Sequence, residues 1–194
     1  MKIIKYNSPV ILTYALLSFT VLLIGYLTDG RSNILLFSVY RTSWSDPLAY
    51  IRVFTNALGH IDIGHYFNNF LLILLVGPLL EERYGSMDLL IMIVATALIT
   101  GIAFLLIGPP NTAGLGASGV AFMLILLASV TNAEKGRLPL TLIFALAIYI
   151  GSEIIREVAP GTTGISHMSH IVGGLCGAGF GLILRKTKTG TNQP

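Results

Sequence analysis

Gly114-Leu-Gly-Ala-Ser-Gly-Val-Ala-Phe-Met-Leu-Ile-Leu-Leu-Ala-Ser-Val130 opens with three glycines in six residues and then turns apolar. The apolar part, Val120 to Val130, is about 11 residues, or roughly 16 Å of helix. A bilayer's hydrocarbon core is about 30 Å thick, so this helix cannot cross it alone. Its glycine-rich start is expected to lie below the outer membrane surface. Irregular backbone is tolerated at that depth only where protein or water surrounds it. The stretch therefore predicts a central helix with a hydrated cavity above Ser118.

The rest of the chain requires the bilayer as its frame. Of its 194 residues, 54% are hydrophobic and 11% charged, and the mean hydropathy is +0.78. Soluble domains carry about 25% charge, and a core of this size cannot hide so much apolar sequence. The reading is an all-α fold: one domain over residues 1–194, a polytopic bundle of six transmembrane helices. Spans are expected at about 9–28, 65–80, 87–107, 116–130, 138–155 and 169–184, the fourth being the one too short to cross alone. A long, mostly polar connection from Asp29 to about Gly64 separates the first two. Glu81-Glu82-Arg83 ends the second, and Gly108-Pro109-Pro110-Asn111 is a turn. No internal repeat is visible, and no soluble domain is expected at either end.

With six spans both termini fall on one side, together with Lys2, Lys5, Arg83, Lys135, Arg137, Arg185, Lys186 and Lys188. Arg31, Arg41, Arg52 and Arg156 fall on the other. This bias puts both termini in the cytoplasm, as in a bacterial inner membrane protein, with the candidate site opening outward. Lys2 and Lys5 precede an apolar run of signal-peptide character, but no small-x-small site closes it, so a retained first span is expected. The net charge of +3 does not suggest nucleic acid. The single cysteine, Cys176, excludes a disulfide framework and a multi-cysteine metal site. It reads as a small packing residue.

Polar residues inside spans are costly and become functional candidates. Ser118 is flanked by Gly116 and Gly119, which leave room for a substrate backbone to approach. It also stands where a helix N-terminus presents free N–H groups to a developing oxyanion. Taken alone, a serine in a membrane helix is more often a packing or back-bonding residue. His170 has a side chain suited to general base work. Gly173 and Gly177 behind it form a GxxxG that lets another helix come close, which is also ordinary helix packing. His65 and Asn69, four apart, share one helix face and can both donate hydrogen bonds; a structural bond to a loop is the bland reading. Together they supply a nucleophile, a base and donors, the set required for acyl transfer. Glu153 and Glu157 lie near in sequence, but no spacing aims either at His170. A Ser–His dyad is therefore the economical reading.

These residues resemble the rhomboid family of intramembrane serine proteases from about Arg52 to Leu184, in its minimal six-span bacterial form. Gly116-Ala117-Ser118-Gly119 is similar to the family's GxSG, His170 with Gly173 and Gly177 to its histidine followed by GxxxG, and His65 to Asn69 to its HxxxN. Glu81-Glu82-Arg83-Tyr84-Gly85-Ser86 resembles ExRxGS, and His60, five before His65, also fits. The resemblance implies Ser118 as nucleophile and His170 as base. His65, Asn69 and the Ser118 N–H would be the oxyanion donors, and Arg52, His60, Glu81 and Arg83 structural residues. It also implies membrane-protein substrates, entering laterally between the second and fifth spans, with lipid as the other partner. A sorting-type variant, cleaving C-terminal anchors of specific exported proteins, is one subtype of such an enzyme. No cofactor and no metal are expected. Two positions depart from the pattern. Ile51-Arg52 stands where Trp-Arg is common, and Phe122 stands where a tyrosine often stacks on the histidine. Two other classes remain: an inactive scaffold, which predicts loss of Ser118 or His170, and a transporter or channel, which predicts mid-span charge or a repeat. The sequence has neither loss, and neither of the transporter's marks.

Overall fold

The computed structural model describes residues 7–133, 140, 143, 147, 151, 155 and 166–189. Six α-helices have both ends within them: α1 (Pro9–Leu27), α2 (Pro47–Thr55), α3 (Ile63–Tyr84), α4 (Ser86–Ile107), α5 (Ser118–Ala133) and α6 (Ser166–Thr189). Among the described residues, α1, α3 and α4 are long and apolar enough to cross a membrane; α5 and α6 carry shorter apolar stretches, Ser118–Thr131 and Met168–Leu184. The expected fifth span lies outside the described residues apart from Leu140, Ile143, Ala147, Gly151 and Ile155, which are helical.

Several helix ends have a local cause. Pro9 opens α1, where its missing N–H costs nothing. The next two donors, Val10 N–H and Ile11 N–H, go to the Glu81 carboxylate at the far end of α3, at 3.0 and 3.1 Å. Ser86 Oγ donates to the same carboxylate at 2.7 Å. A buried carboxylate needs such donors, and a helix N-terminus supplies them with a favourable dipole. Asp62 caps α3 by accepting from His65 N–H at 2.7 Å. Glu81, Glu82 and Arg83 lie in its last turn, and the helix runs through Tyr84. Gly85, at φ +89°, makes the turn that stops it.

The connection after α1 is more ordered than its polar composition suggests. Asn33–Phe37 forms a π-helical turn, and Val39 pairs with Gly114 in an isolated antiparallel bridge. Asp46 caps α2 by accepting from Leu48 N–H, and Pro47 fills its first position. Arg52, 1% exposed, is the charged side chain at the centre of this segment. Its guanidinium pairs with Asp46, donates to the Leu35 carbonyl, and lies 4.3 Å from the Tyr40 ring centroid. A buried cation without such partners would be strongly unfavourable. Arg52 therefore ties the π-helical turn to α2 without the tryptophan that often precedes it.

The core gathers on α5. Val120, Met123, Leu124, Ile125 and Leu127 are all sealed from solvent, with Ile73, Leu89 and Met92 from α3 and α4 also buried. A helix apolar all round belongs inside a bundle, and α5 has that character. Tyr14 and Tyr66 bind α1 inward, donating to the Ala57 and Ala15 carbonyls at 2.8 and 3.0 Å. The outer faces of α1, α3 and α4 carry exposed leucines and isoleucines, as a lipid-facing surface does.

Candidate active site

The segment before Ser118 is pinned at three successive places. Gly114 exchanges both backbone hydrogen bonds with Val39, Gly116 N–H donates to the Asn56 carbonyl at 2.9 Å, and Ala117 N–H points at His60 Nε2 at 3.4 Å. Gly116 has φ +132°, a conformation side chains rarely adopt. A Cβ built there would stand 2.8 Å from His65 Nε2 and 3.6 Å from Asn69 Nδ2. Glycine at 116 thus lets both α3 side chains close on the turn. Ser118 begins α5, one residue after the Ala117 carbonyl that accepts from Ala121 N–H, and is 8% exposed. Its peptide lies in the first turn, where N–H groups have no partner within the helix.

On the other side α6 meets α5 backbone to backbone. A Cβ at Gly173 would overlap the Gly119 carbonyl, and one at Gly177 the Met123 carbonyl, one turn further on. Above them a Cβ at Gly119 would lie 3.3 Å from the Ser169 carbonyl. The Phe122 ring stacks on His170, with centroids 4.2 Å apart and planes at 13°. So Gly119, next to Ser118, touches Ser169, next to His170, and one turn below Phe122 holds the imidazole itself. The tyrosine-to-phenylalanine departure preserves the stacking.

The α3 side of the site is a cluster of rings and amides. His60, on the turn before α3, and Asn69, within it, are both 0% exposed. Their side chains meet at 3.1 Å between Asn69 Nδ2 and His60 Nε2. His60 also packs against His65, Tyr66 and Phe70, with centroids 5.0, 5.5 and 5.7 Å away. A cavity of about 10 Å³ backs the turn, lined in part by Asn56, Thr100, Gly116, Gly119 and Ser169. That is close to the space one water requires.

Of the residues singled out in the sequence, Ser118, His65, Asn69, Gly116, Gly119, Phe122, His170 and Gly173 thus gather around the start of α5. Gly177 and Met123 continue the α5–α6 contact below. Arg52, Glu81 and Arg83 stand away from it: Arg52 under the α2 segment, Glu81 at the α1–α3 junction, and Arg83 exposed beside the Tyr84 ring at 5.8 Å. Sequence reasoning missed Asn56, which holds Gly116 by its carbonyl while its amide donates to the Val53 and Ala97 carbonyls at 2.7 and 3.2 Å. Glu153 and Glu157 lie outside the described residues. Among the described residues no group of three or more His, Cys, Asp or Glu side chains is arranged to hold a metal.

A helical bundle with apolar outer faces and a polar cluster at the buried start of a short central helix defines an integral membrane protein with an internal site. A family model described as Rhomboid domain matches residues 47–187, and the chain belongs to that family. Comparison with curated proteins gave no match.

Proposed function

We propose that the protein is an intramembrane serine endopeptidase, hydrolysing peptide bonds in or near the transmembrane segments of membrane proteins. The observation that carries this reading is the convergence at the start of α5: stacking of Phe122 on His170 and close approach of Gly119 to α6 on one side, His65 and Asn69 against Gly116 on the other.

The chemistry follows from those neighbours. Ser118 Oγ attacks the scissile carbonyl while His170 takes its proton, and the imidazolium then protonates the leaving amine. Negative charge develops on the carbonyl oxygen near the first turn of α5. There the Ser118 N–H, the Asn69 amide and the His65 ring donate to it. Water, activated by the same imidazole, releases the acyl group. The flat contact with Phe122 limits rotation of His170. The scheme uses no cofactor. Substrate enters from the bilayer between the second and fifth spans, the site opens to the outer side, and both termini lie in the cytoplasm.

The test is a fluorophosphonate probe and a model transmembrane substrate presented to purified protein in detergent. Wild type takes the probe and cleaves. Ser118→Ala does neither, although its melting temperature is unchanged. Cleavage by Ser118→Ala at the wild-type rate would defeat the assignment of the nucleophile. A wild type that is folded, unlabelled and inactive would favour a non-catalytic member that binds membrane proteins.

A further inference from the structure

His60 is fully enclosed, and both ring nitrogens have partners of defined polarity. Nδ1 lies 3.1 Å from the Leu58 carbonyl oxygen, which only accepts. Nδ1 therefore carries the hydrogen, and in a neutral imidazole Nε2 then carries the lone pair. The Ala117 N–H, which only donates, points at Nε2 and agrees with that tautomer. It follows that the Asn69 atom 3.1 Å from Nε2 is the amide nitrogen and not the oxygen. One acceptor atom thus sets which way round the Asn69 amide stands. It also holds the peptide N–H of the residue just before Ser118.

We infer that His60 is a positioning residue, whose Nε2 orients the Asn69 amide and the Ala117 peptide for an oxyanion forming at Ser118. The inference rests on the protease reading above and adds to it a chemical requirement: an acceptor at the Nε2 position. A ring serving only to fill space among His65, Tyr66 and Phe70 would have no such requirement. The other tautomer, or an imidazolium, would set an N–H against the Ala117 N–H and the Asn69 amide nitrogen, and the amide would turn its oxygen inward. An oxyanion would then face an acceptor in place of a donor.

The experiment is a set of His60 variants, alone and combined with Asn69→Ala, assayed for cleavage and for fluorophosphonate labelling. Oxyanion donors act in the transition state, so their loss lowers kcat and leaves KM. His60→Leu is expected to lower kcat about ten- to hundredfold with KM within about threefold. His60→Gln, whose carbonyl oxygen reaches the Nε2 position, keeps kcat within about threefold of wild type, while the shorter His60→Asn does not. With Asn69 already replaced by alanine, His60→Leu costs less than about threefold more, because the two act as a unit. Equal losses in both backgrounds, or a glutamine variant as impaired as the leucine one, would overturn the positioning role. If His60→Leu does not fold, the glutamine–asparagine pair decides by the same criterion. A wild type that neither cleaves nor takes the probe overturns the protease reading itself. An active wild type with additive losses overturns only the role of His60.

Discussion

The seam between α5 and α6 and the space between α1 and α4 are both contacts between apolar helices, yet they are built oppositely. At the seam, glycines at 173 and 177 bring one backbone onto the carbonyls of the other. Between α1 and α4 lies an apolar groove of about 410 Å³, bounded by side chains such as Tyr14, Leu17, Phe54, Leu90 and Val94. Lipid tails are as apolar as leucine, so nothing squeezes two leucine-rich helices together in a membrane; close approach requires small residues. The chain has placed them where Ser169 and His170 must sit against Gly119 and Phe122. Elsewhere bulky side chains keep the helices apart.

The largest expected effect is at the seam. Gly173→Ala sets a methyl group into the Gly119 carbonyl, and α6 must move outward. Overpacking of this kind costs about 1–3 kcal/mol, and displacement of a reacting group by an ångström costs about a hundredfold in rate. Melting in detergent and substrate cleavage should both fall. Wild-type cleavage by Gly173→Ala would mean that the seam is not closed.

A smaller effect is expected at α2, whose Phe54 lines the groove. Desolvation pushes the Asp46 carboxyl up, but the Arg52 guanidinium, the Leu48 N–H and the Thr42 hydroxyl together outweigh it and hold it below the ordinary carboxylate range. A carboxyl lowered in the folded state contributes stability above its unfolded value, about 3.9, and loses it as pH falls through the folded one. Hydrogen exchange should show residues 48–55 losing protection below about pH 4, while residues 123–127 keep theirs. Equal loss in both segments would erase the contrast between seam and groove. The smallest effect belongs to the groove wall. Val94→Phe has open space to fill and should change stability by less than about 0.5 kcal/mol, with cleavage unaltered. A large loss there would mean the groove is as tightly specified as the seam.

These contrasts explain what could be read from the sequence. Ser118, His170, His65 and Asn69 stood out because polar groups among apolar runs are conspicuous, and the glycines beside them announced a close approach. Which carbonyls Gly173 and Gly177 would meet was not legible, because that depends on the register of two helices. The connection over residues 29–64 was read only as polar, although Asp46-Pro47 is a cap followed by proline at the first helical position and could have marked α2. The π-helical turn at Asn33–Phe37 and its tie to Arg52 required the folded chain. His60 entered through resemblance alone, and its acceptor role needed the positions of Leu58, Asn69 and Ala117.

The carboxylate of Glu81 bears on the order in which the molecule is made. Synthesis runs from the N-terminus, so the first helix leaves the ribosome with its leading donors at 10 and 11 still waiting for a side chain seventy residues away. Only when translation has passed residue 81 can that end be closed, and Ser86 follows to hold the carboxylate in place. The first segment is thus completed by the second, and a nascent chain stopped short of residue 81 would carry a helix whose N-terminal turn is unfinished.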